Sequence, residues 1–472
     1  MNSVKHHIVT MTIWRPALAP GTEPKYQALL DALQRDIHSG MLVPGTRLPT
    51  QRDLAQRLGV AIGTVGRAYA VAEQRGIVSG EVGRGTFVRG PEPGVEQGSL
   101  EEDDPQVIDL SKSRLVRDPR VGSVRDALQA LARRPDLDRL MDFYQPAPGM
   151  ARHREMGARW VRRTGLPVPP ERVIITSGAQ HGAATVLASL TKPGDLILTE
   201  HVTYTGMKAI ASLLHLQLRG LPLDGHGLIP EALEAACREQ APRALYCMPT
   251  LHNPTARTMP LGRRQALAEI AARYDVALIE DDVYGFLPDQ PLPPLTAIAP
   301  ANSYYITGTS KSMAPGLRVG YVVAPESRVD RVAGVIRAST WLIAPLLAEL
   351  ASEWIENGEA EAMVAWKREE TTARHAAATR ILGPWLAGTP PRSFHLWLPL
   401  PEPWRTEEFV TQARTRQVVV SPSEEFVVGR ESAPHAVRVC LGATASRARL
   451  EAALGRLADL LEDGPGPSLT GY

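Results

Sequence analysis

The chain has 472 residues, more than one ordinary core holds, so at least two domains are expected. Hydrophobic residues make up 44% and charged residues 22%, which fits folded domains and excludes a disordered chain. With 52 Lys and Arg against 51 Asp and Glu there is no global basic field, so any nucleic-acid binding must come from a local patch.

Met1 to Pro20 lacks the charged-then-apolar layout of a signal peptide, and His6-His7 reads as a solvated tail, since two ligands do not complete a zinc sphere. Tyr26, Leu29, Leu30, Leu33 and Ile37 are spaced for one face of a first helix, which Gly40 and a Pro44-Gly45 turn end. Thr50 can cap a second helix, Gln51 to Leu58, with Leu54, Ala55 and Leu58 inward. Gly59 breaks the chain before a third helix, about Ile62 to Arg75. Val65, Ala68, Tyr69 and Ala72 face its core, and Gly63, Thr64, Gly66, Arg67 and Gln74 lie on the other face. Two short helices around a tight Gly-containing turn predict a helix-turn-helix whose second helix enters the major groove. Gly83 to Val88 follows as a hairpin wing. This unit, 22–90, carries nine Lys and Arg against six acids, a modest basic patch suited to phosphate contacts. On periodicity alone, a three-helix protein–protein module is a second reading.

Residues 91–107 hold six acids, three prolines and two glycines with no Lys or Arg, a composition that cannot bury a core and predicts an exposed acidic linker. The large unit, 108–465, alternates short apolar runs with helical segments such as Leu261 to Tyr274. The runs are Val173–Ile175, Leu196–Leu198, Ala244–Met248, Val276–Ile279 and Val319–Val323. Strands apolar on both faces and separated by helices predict an α/β body with a mostly parallel sheet. Ligands in such folds sit beyond the carboxyl ends of the strands, so the residues just after each run are the ones to inspect. No apolar run approaches the roughly 20 residues needed to span a bilayer. Cys237, Cys247 and Cys440 lie far apart with neither metal nor disulfide spacing, which suits a reducing, cytoplasmic setting.

Leu48-Pro49-Thr50-Gln51-Arg52-Asp53-Leu54-Ala55-Gln56-Arg57-Leu58-Gly59-Val60, then Thr64-Val65, Ala68-Tyr69, Gly76 and Gly85-Thr86-Phe87-Val88, resembles the GntR family of winged-helix regulators. The resemblance makes Arg52, Thr64 and Arg67 candidate contacts to double-stranded operator DNA and Arg84 a wing contact; a pairing of Arg52 with a helix acid is the plainer alternative. The chain departs from the family at Ala61-Ile62, where a Ser-Arg pair is usual, and at Gly63 and Gly66, where polar residues are usual. Fewer side chains then reach base edges, which shifts specificity toward the wing and DNA shape.

Thr309-Ser310-Lys311, with Gly316-Leu317-Arg318-Val319-Gly320-Tyr321 behind it, resembles the cofactor segment of fold-type I aminotransferases. In that family the lysine forms a Schiff base with pyridoxal 5′-phosphate (PLP) and the arginine's planar fork grips the phosphate. The other parts follow strand ends in order. Glu280-Asp281-Asp282-Val283-Tyr284 resembles the family's Asp-x-x-Tyr, which implies Asp281 against the pyridine nitrogen and Tyr284 on the ring hydroxyl. Asp282 is then structural, although an exchange of the two roles stays open. Asn253-Pro254 resembles the family's Asn-Pro, whose amide holds the same hydroxyl. Ser177-Gly178-Ala179-Gln180 opens a helix where backbone N–H groups can meet phosphate, with Ala179, Gln180 and Ser310 as candidates. Tyr204 matches the aromatic that stacks on the ring, and Tyr144 the tyrosine that reaches the partner subunit's phosphate, which implies a homodimer. Arg438, in Val437–Leu441, resembles the arginine that binds a substrate or effector α-carboxylate. The family commonly carries Ser where this chain has Gly308, leaving one phosphate hydroxyl missing unless Thr309 replaces it.

A GntR-type reader joined to a body of the PLP-dependent aminotransferase fold type I resembles the MocR group. The resemblance implies a regulator in which an amino acid or amine displaces Lys311 from PLP and the linker carries the change to DNA. A working aminotransferase with an accessory DNA-binding domain is the alternative, and free PLP as the signal a third. No metal site is expected.

Overall fold

The computed structural model describes residues 14–16, 24–38, 41–42, 46–74, 77–81, 85–88, 106–114, 116, 124–386, 390, 392–429 and 431–465. Contacts divide the chain into two compact units, Met1–Val95 and Glu96–Tyr472.

In the first unit, α1 spans Lys25–His38, α2 Gln51–Leu58 and α3 Ile62–Gln74; Arg75 lies outside the described residues. Thr50 starts α2 by accepting a hydrogen bond from the Asp53 N–H at 3.2 Å. Gly59 ends it at φ 62°, a left-handed conformation that costs glycine little. Only Gly59, Val60 and Ala61 separate the two helices. Leu29, Leu30, Leu33, Leu54, Ala55, Val65, Ala68, Tyr69 and Ala72 bury one shared core. Trp14, upstream of the expected unit, joins that core and donates its indole N–H to Asp36 Oδ2 at 2.8 Å. Behind α3, β1 (Val78–Glu81) pairs antiparallel with β2 (Gly85–Val88). Thr46–Leu48 runs along β2, with Leu48 N–H on Thr86 O and Val88 N–H on Thr46 O. The wing turn with Arg84, and residues 91–105 of the expected linker, lie outside the described residues.

The second unit opens with β3, Ile108–Asp109, and its main sheet has seven strands. These are β4 (Val173–Thr176), β5 (Leu196–Glu200), β6 (Gln217–Leu221), β9 (Ala244–Cys247), β10 (Ala277–Asp281), β11 (Ser303–Gly308) and β12 (Gly320–Val323); a small hairpin, β7 (Leu223–Asp224) and β8 (Gly227–Leu228), lies between β6 and β9. The order is β4-β12-β11-β10-β9-β5-β6, parallel throughout except that β12 runs against both neighbours. Along the fully buried β5, β9 and β10, successive side chains enter two different cores, as a two-sided sheet requires. Leu196, Leu198, Leu245, Cys247 and Leu278 enter one core, and Ile197, Ala244, Tyr246, Ala277 and Ile279 the other.

A smaller lobe follows in the same unit. Its sheet places β16 (Ala436–Cys440) between β13 (His395–Pro399) and β15 (Ser421–Pro422), while β14 (Val418–Val419) pairs with β3. Ile108, Leu110, Val437, Val439 and the helix Arg447–Asp463 share its core. Two strands of the main sheet were not read from the sequence. β6 is an edge strand with one buried residue. β11 is fully buried yet reads Ser-Tyr-Tyr-Ile-Thr-Gly, and its polar groups are satisfied inside: Tyr305 OH donates to Asp282 Oδ2 at 2.8 Å and Thr307 Oγ1 to Asp282 O at 3.0 Å.

Candidate functional site

The helix-turn-helix presents a mixed face. Arg52 and Arg67 are exposed and Thr64 is half-buried. The exposed Arg67 side chain of α3 places its guanidinium 4.3 Å over the ring of Tyr26 on α1. Gly66 is half-buried, and an added Cβ there would stand 3.0 Å from Oε1 of the exposed Gln51 side chain of α2. The helix's outer start is Ala61, Ile62 and Gly63, with Ile62 52% exposed.

In the larger unit, topology gathers the expected residues at one sheet edge. β4, β5, β9, β10 and β11 all end there, and the antiparallel β12 begins there, with Gly320 opposite both Thr176 and Gly308. Gly178 stands at φ 84° before the helix Ala179–Leu190. A Cβ on it would sit 2.9 Å from Arg318 Nη2, so glycine lets the guanidinium lie against the helix start. Arg318 donates to Ser310 Oγ at 3.3 Å and Ser177 O at 3.4 Å. Gln180 Oε1 accepts from Tyr204 OH at 3.0 Å. Exposed N–H groups at a helix start, a guanidinium and two hydroxyls form a cradle that can hold a phosphate.

Gly308 has a physical reason. Its added Cβ would stand 3.3 Å from both Ala179 N and Val319 O, too tight for an easy serine. Thr309 does not make up the missing hydroxyl, because its Oγ1 donates to Val319 O at 3.0 Å and the residue is fully buried.

Asp281 ends β10, buried, with Oδ2 accepting from Tyr246 OH at 2.6 Å and Oδ1 buried with no hydrogen-bond partner among the described residues. Burial raises its pKa to about 6, against the Tyr246 hydrogen bond that lowers it. Asp282 Oδ2 accepts from Tyr305 OH at 2.8 Å and crowds its own turn at Gly285, and its Oδ1 is likewise buried with no hydrogen-bond partner among the described residues. Lys311 Nζ donates to Ser113 O at 2.5 Å and Ser113 Oγ at 3.0 Å, and the same Oγ lies 3.2 Å from Tyr284 OH. The buried Arg438 donates to Asn253 Oδ1 at 2.9 Å and Ser111 O at 2.6 Å, with its guanidinium 4.7 Å over the Phe426 ring.

Tyr144 is not brought to the others within one chain. It is 82% exposed and packs edge-on to Trp341 at 5.8 Å. Four residues at the site carried no signal in the sequence: Tyr246 under Asp281, Ser111 and Ser113 facing Arg438 and Lys311, and Lys367. The Lys367 ammonium donates to Lys311 O at 3.2 Å and Met313 O at 2.9 Å and so braces the turn that carries Lys311, while burial lowers its pKa to about 8. None stands in a motif; each meets its partner only through the fold.

A mixed seven-stranded sheet with a lysine, a buried aspartate and an arginine cradle at one edge, plus a helix-turn-helix, defines a DNA-binding protein with an aminotransferase-like body. Comparison with known proteins agrees. Residues 105–457 match the aminotransferase class I and II family and residues 25–88 the gntR family of bacterial regulatory proteins. The chain belongs to the aminotransferase class I and II family, in the branch headed by a gntR-type domain, the MocR subfamily. It is 32% identical to the HTH-type transcriptional regulator YdeF of Bacillus subtilis over 95% of this chain and 97% of that protein. It is 28% identical to the vitamin B6 salvage pathway transcriptional repressor PtsJ of Salmonella typhimurium over 88% of this chain and 93% of that one. In structure it is similar to an archaeal alanine:glyoxylate aminotransferase, with a TM-score of 0.68 and 25% identity over 76% of this chain and 91% of that one.

Proposed function

We propose that the chain is a PLP-dependent, DNA-binding transcription regulator of the cytoplasm, acting as a homodimer, that senses an amino acid or amine in its aminotransferase-like pocket. The observation that carries the reading is Asp281 Oδ1, a buried carboxylate oxygen with no partner among the described residues, at the sheet edge that also bears Lys311 and Arg318. A protonated ring nitrogen satisfies that atom, and the cradle of Gly178, Ala179, Gln180, Ser310 and Arg318 suits the phosphate. PLP supplies an aldehyde for covalent attachment and a ring that takes up electrons. The chain's residues do the rest. Lys311 offers the amine, Tyr284 and Asn253 stand ready for the ring hydroxyl, Tyr204 covers the ring, and Arg438 presents a fork for a carboxylate. Tyr144, exposed in its own chain, serves the partner's phosphate. Arg52, Thr64, Arg67 and Arg84 contact operator DNA. The repressor name of the relative PtsJ, tied to vitamin B6, supports the same reading.

The test uses the full chain with one equivalent of PLP. A yellow band and borohydride trapping on the Lys311 peptide are expected, followed by a change in affinity for DNA upstream of its own or adjacent genes when an amino acid shifts that band. A colourless, untrapped protein overturns the reading. The presence of the lysine, aspartate, asparagine, tyrosines and arginines of the cofactor set also favours a second reading, a working aminotransferase. Turnover of a common amino acid at an ordinary enzyme rate (about 10 s⁻¹) with no DNA binding decides for it.

A further inference from the structure

We propose that Ser113 is a positioning residue that reads whether the Lys311 amine is free and passes that state to the strand leading back to the DNA-binding unit. The inference rests on the proposed role of Lys311. The chain runs from Gln106 into β3, which is fixed in the smaller lobe: Ile108 and Leu110 are buried in its core, Leu110 N–H bonds Val419 O, and Cys440 N–H bonds Leu110 O. One residue later Ser111 O accepts from Arg438 at 2.6 Å and from Ser421 Oγ at 3.4 Å. Two residues further, Ser113 leaves that lobe's partners. Its carbonyl and hydroxyl both accept from Lys311 Nζ, and its Oγ meets Tyr284 OH. Tyr284 packs in the core of the main sheet, and Lys311 follows β11 of that sheet. One serine, four residues past β3, therefore ties the lobe that receives the linker to the lobe that holds the lysine.

The chemistry of Lys311 makes this tie conditional. A free ammonium has three N–H groups, enough for both Ser113 oxygens. Condensation of Nζ with an aldehyde forms a carbon–nitrogen double bond and releases water. The nitrogen keeps one proton at most, so at least one Ser113 hydrogen bond is lost. A primary amine that takes the lysine's place at that carbon returns Nζ as a free amine, and both bonds can form again. Ser113 is held in the cofactor-free and ligand-bound states and released between them.

Trypsin reads this directly, because Lys112 and Arg114 flank Ser113 and no Lys or Arg lies between Arg89 and Lys112. Cleavage after either residue is identified by fragment mass. The full chain is digested without cofactor, with one equivalent of PLP, and with PLP plus any of the 20 amino acids that shifts its absorbance. Cleavage at these two bonds should be slow, then about tenfold faster, then slow again, the population change expected for losing one charge-assisted hydrogen bond. Lys311→Ala should cleave fast in all conditions, and Ser113→Ala should lose most of the difference while still turning yellow with PLP. An unchanged rate while PLP is trapped on Lys311 overturns the inference and leaves the reading of the pocket standing. Failure of PLP to attach overturns that reading, and this inference with it. The first two conditions decide the matter even if no amino acid shifts the band.

Discussion

At the scale of single residues, Asp281 is the group whose charge the fold opposes and whose proposed partner favours it. Burial holds its pKa at about 6 instead of 3.8, so the ionised form is disfavoured in the folded chain. A raised carboxylate pKa costs nothing below the unfolded value, costs more as pH climbs between the two, and costs the full amount above 6. The difference corresponds to about 3 kcal/mol. Asp281→Asn without cofactor should melt about 5 °C higher than the parent above pH 6, with the gap closing toward pH 4. With PLP bound the order should reverse, since a ring cation then repays the ionised carboxylate and an amide cannot. Melting curves at three pH values, with and without PLP, check both arms. An equal melting temperature at pH 8 without cofactor shows that the buried charge carries no such cost.

At the scale of elements, the DNA-reading face rests on how α2 and α3 are held. Thr50→Ala removes the acceptor for the Asp53 N–H at the start of α2, and should cost about 1 kcal/mol of stability in the first unit, measured by denaturant titration. Arg67 stacks on Tyr26, and on the proposed reading it contacts phosphate, not a base edge. Arg67→Ala should weaken binding to all sequences alike and reduce the slope of log affinity against log salt by about one, with PLP absorbance unchanged. A loss confined to one operator sequence shows a base contact instead. The helices of this face were legible because apolar residues recur at helical spacing and Thr50 and Gly59 punctuate them. The meeting of Lys311, Arg318 and Asp281 at one sheet edge was legible because the motifs that carry the family resemblance follow strand ends. Ser113 and Tyr246 were not, since Ser113 lies 198 residues from Lys311 and Tyr246 meets Asp281 across two paired strands. β11 was hidden for a related reason: its Tyr and Thr side chains look half-exposed in sequence and are paired in the interior.

At the scale of the whole molecule, a site shared between two subunits makes a demand that no single chain satisfies. Tyr144 is 82% exposed beside Trp341, itself 54% exposed, with Met141 and Phe143 also open to solvent nearby in the chain. Such an apolar surface suits burial against a second copy. On the proposed homodimer, Lys311 comes from one protomer and the phosphate-reaching tyrosine from the other. Lys311→Ala then leaves both sites of a homodimer without the attaching amine, and Tyr144→Ala leaves both without a phosphate hydroxyl. A mixed dimer differs. The Lys311→Ala protomer lends its intact Tyr144 to the Tyr144→Ala protomer, whose Lys311 is intact, so one of the two sites is whole. Mixing the two variants under conditions that exchange subunits should restore tight PLP attachment to about a quarter of all sites, since random exchange makes half the dimers mixed. Borohydride trapping at limiting PLP, with peptide masses to identify the Lys311-bearing protomer, counts them. Separate variants incubated without exchange provide the baseline, and no gain on exchange places Tyr144 outside the neighbouring site.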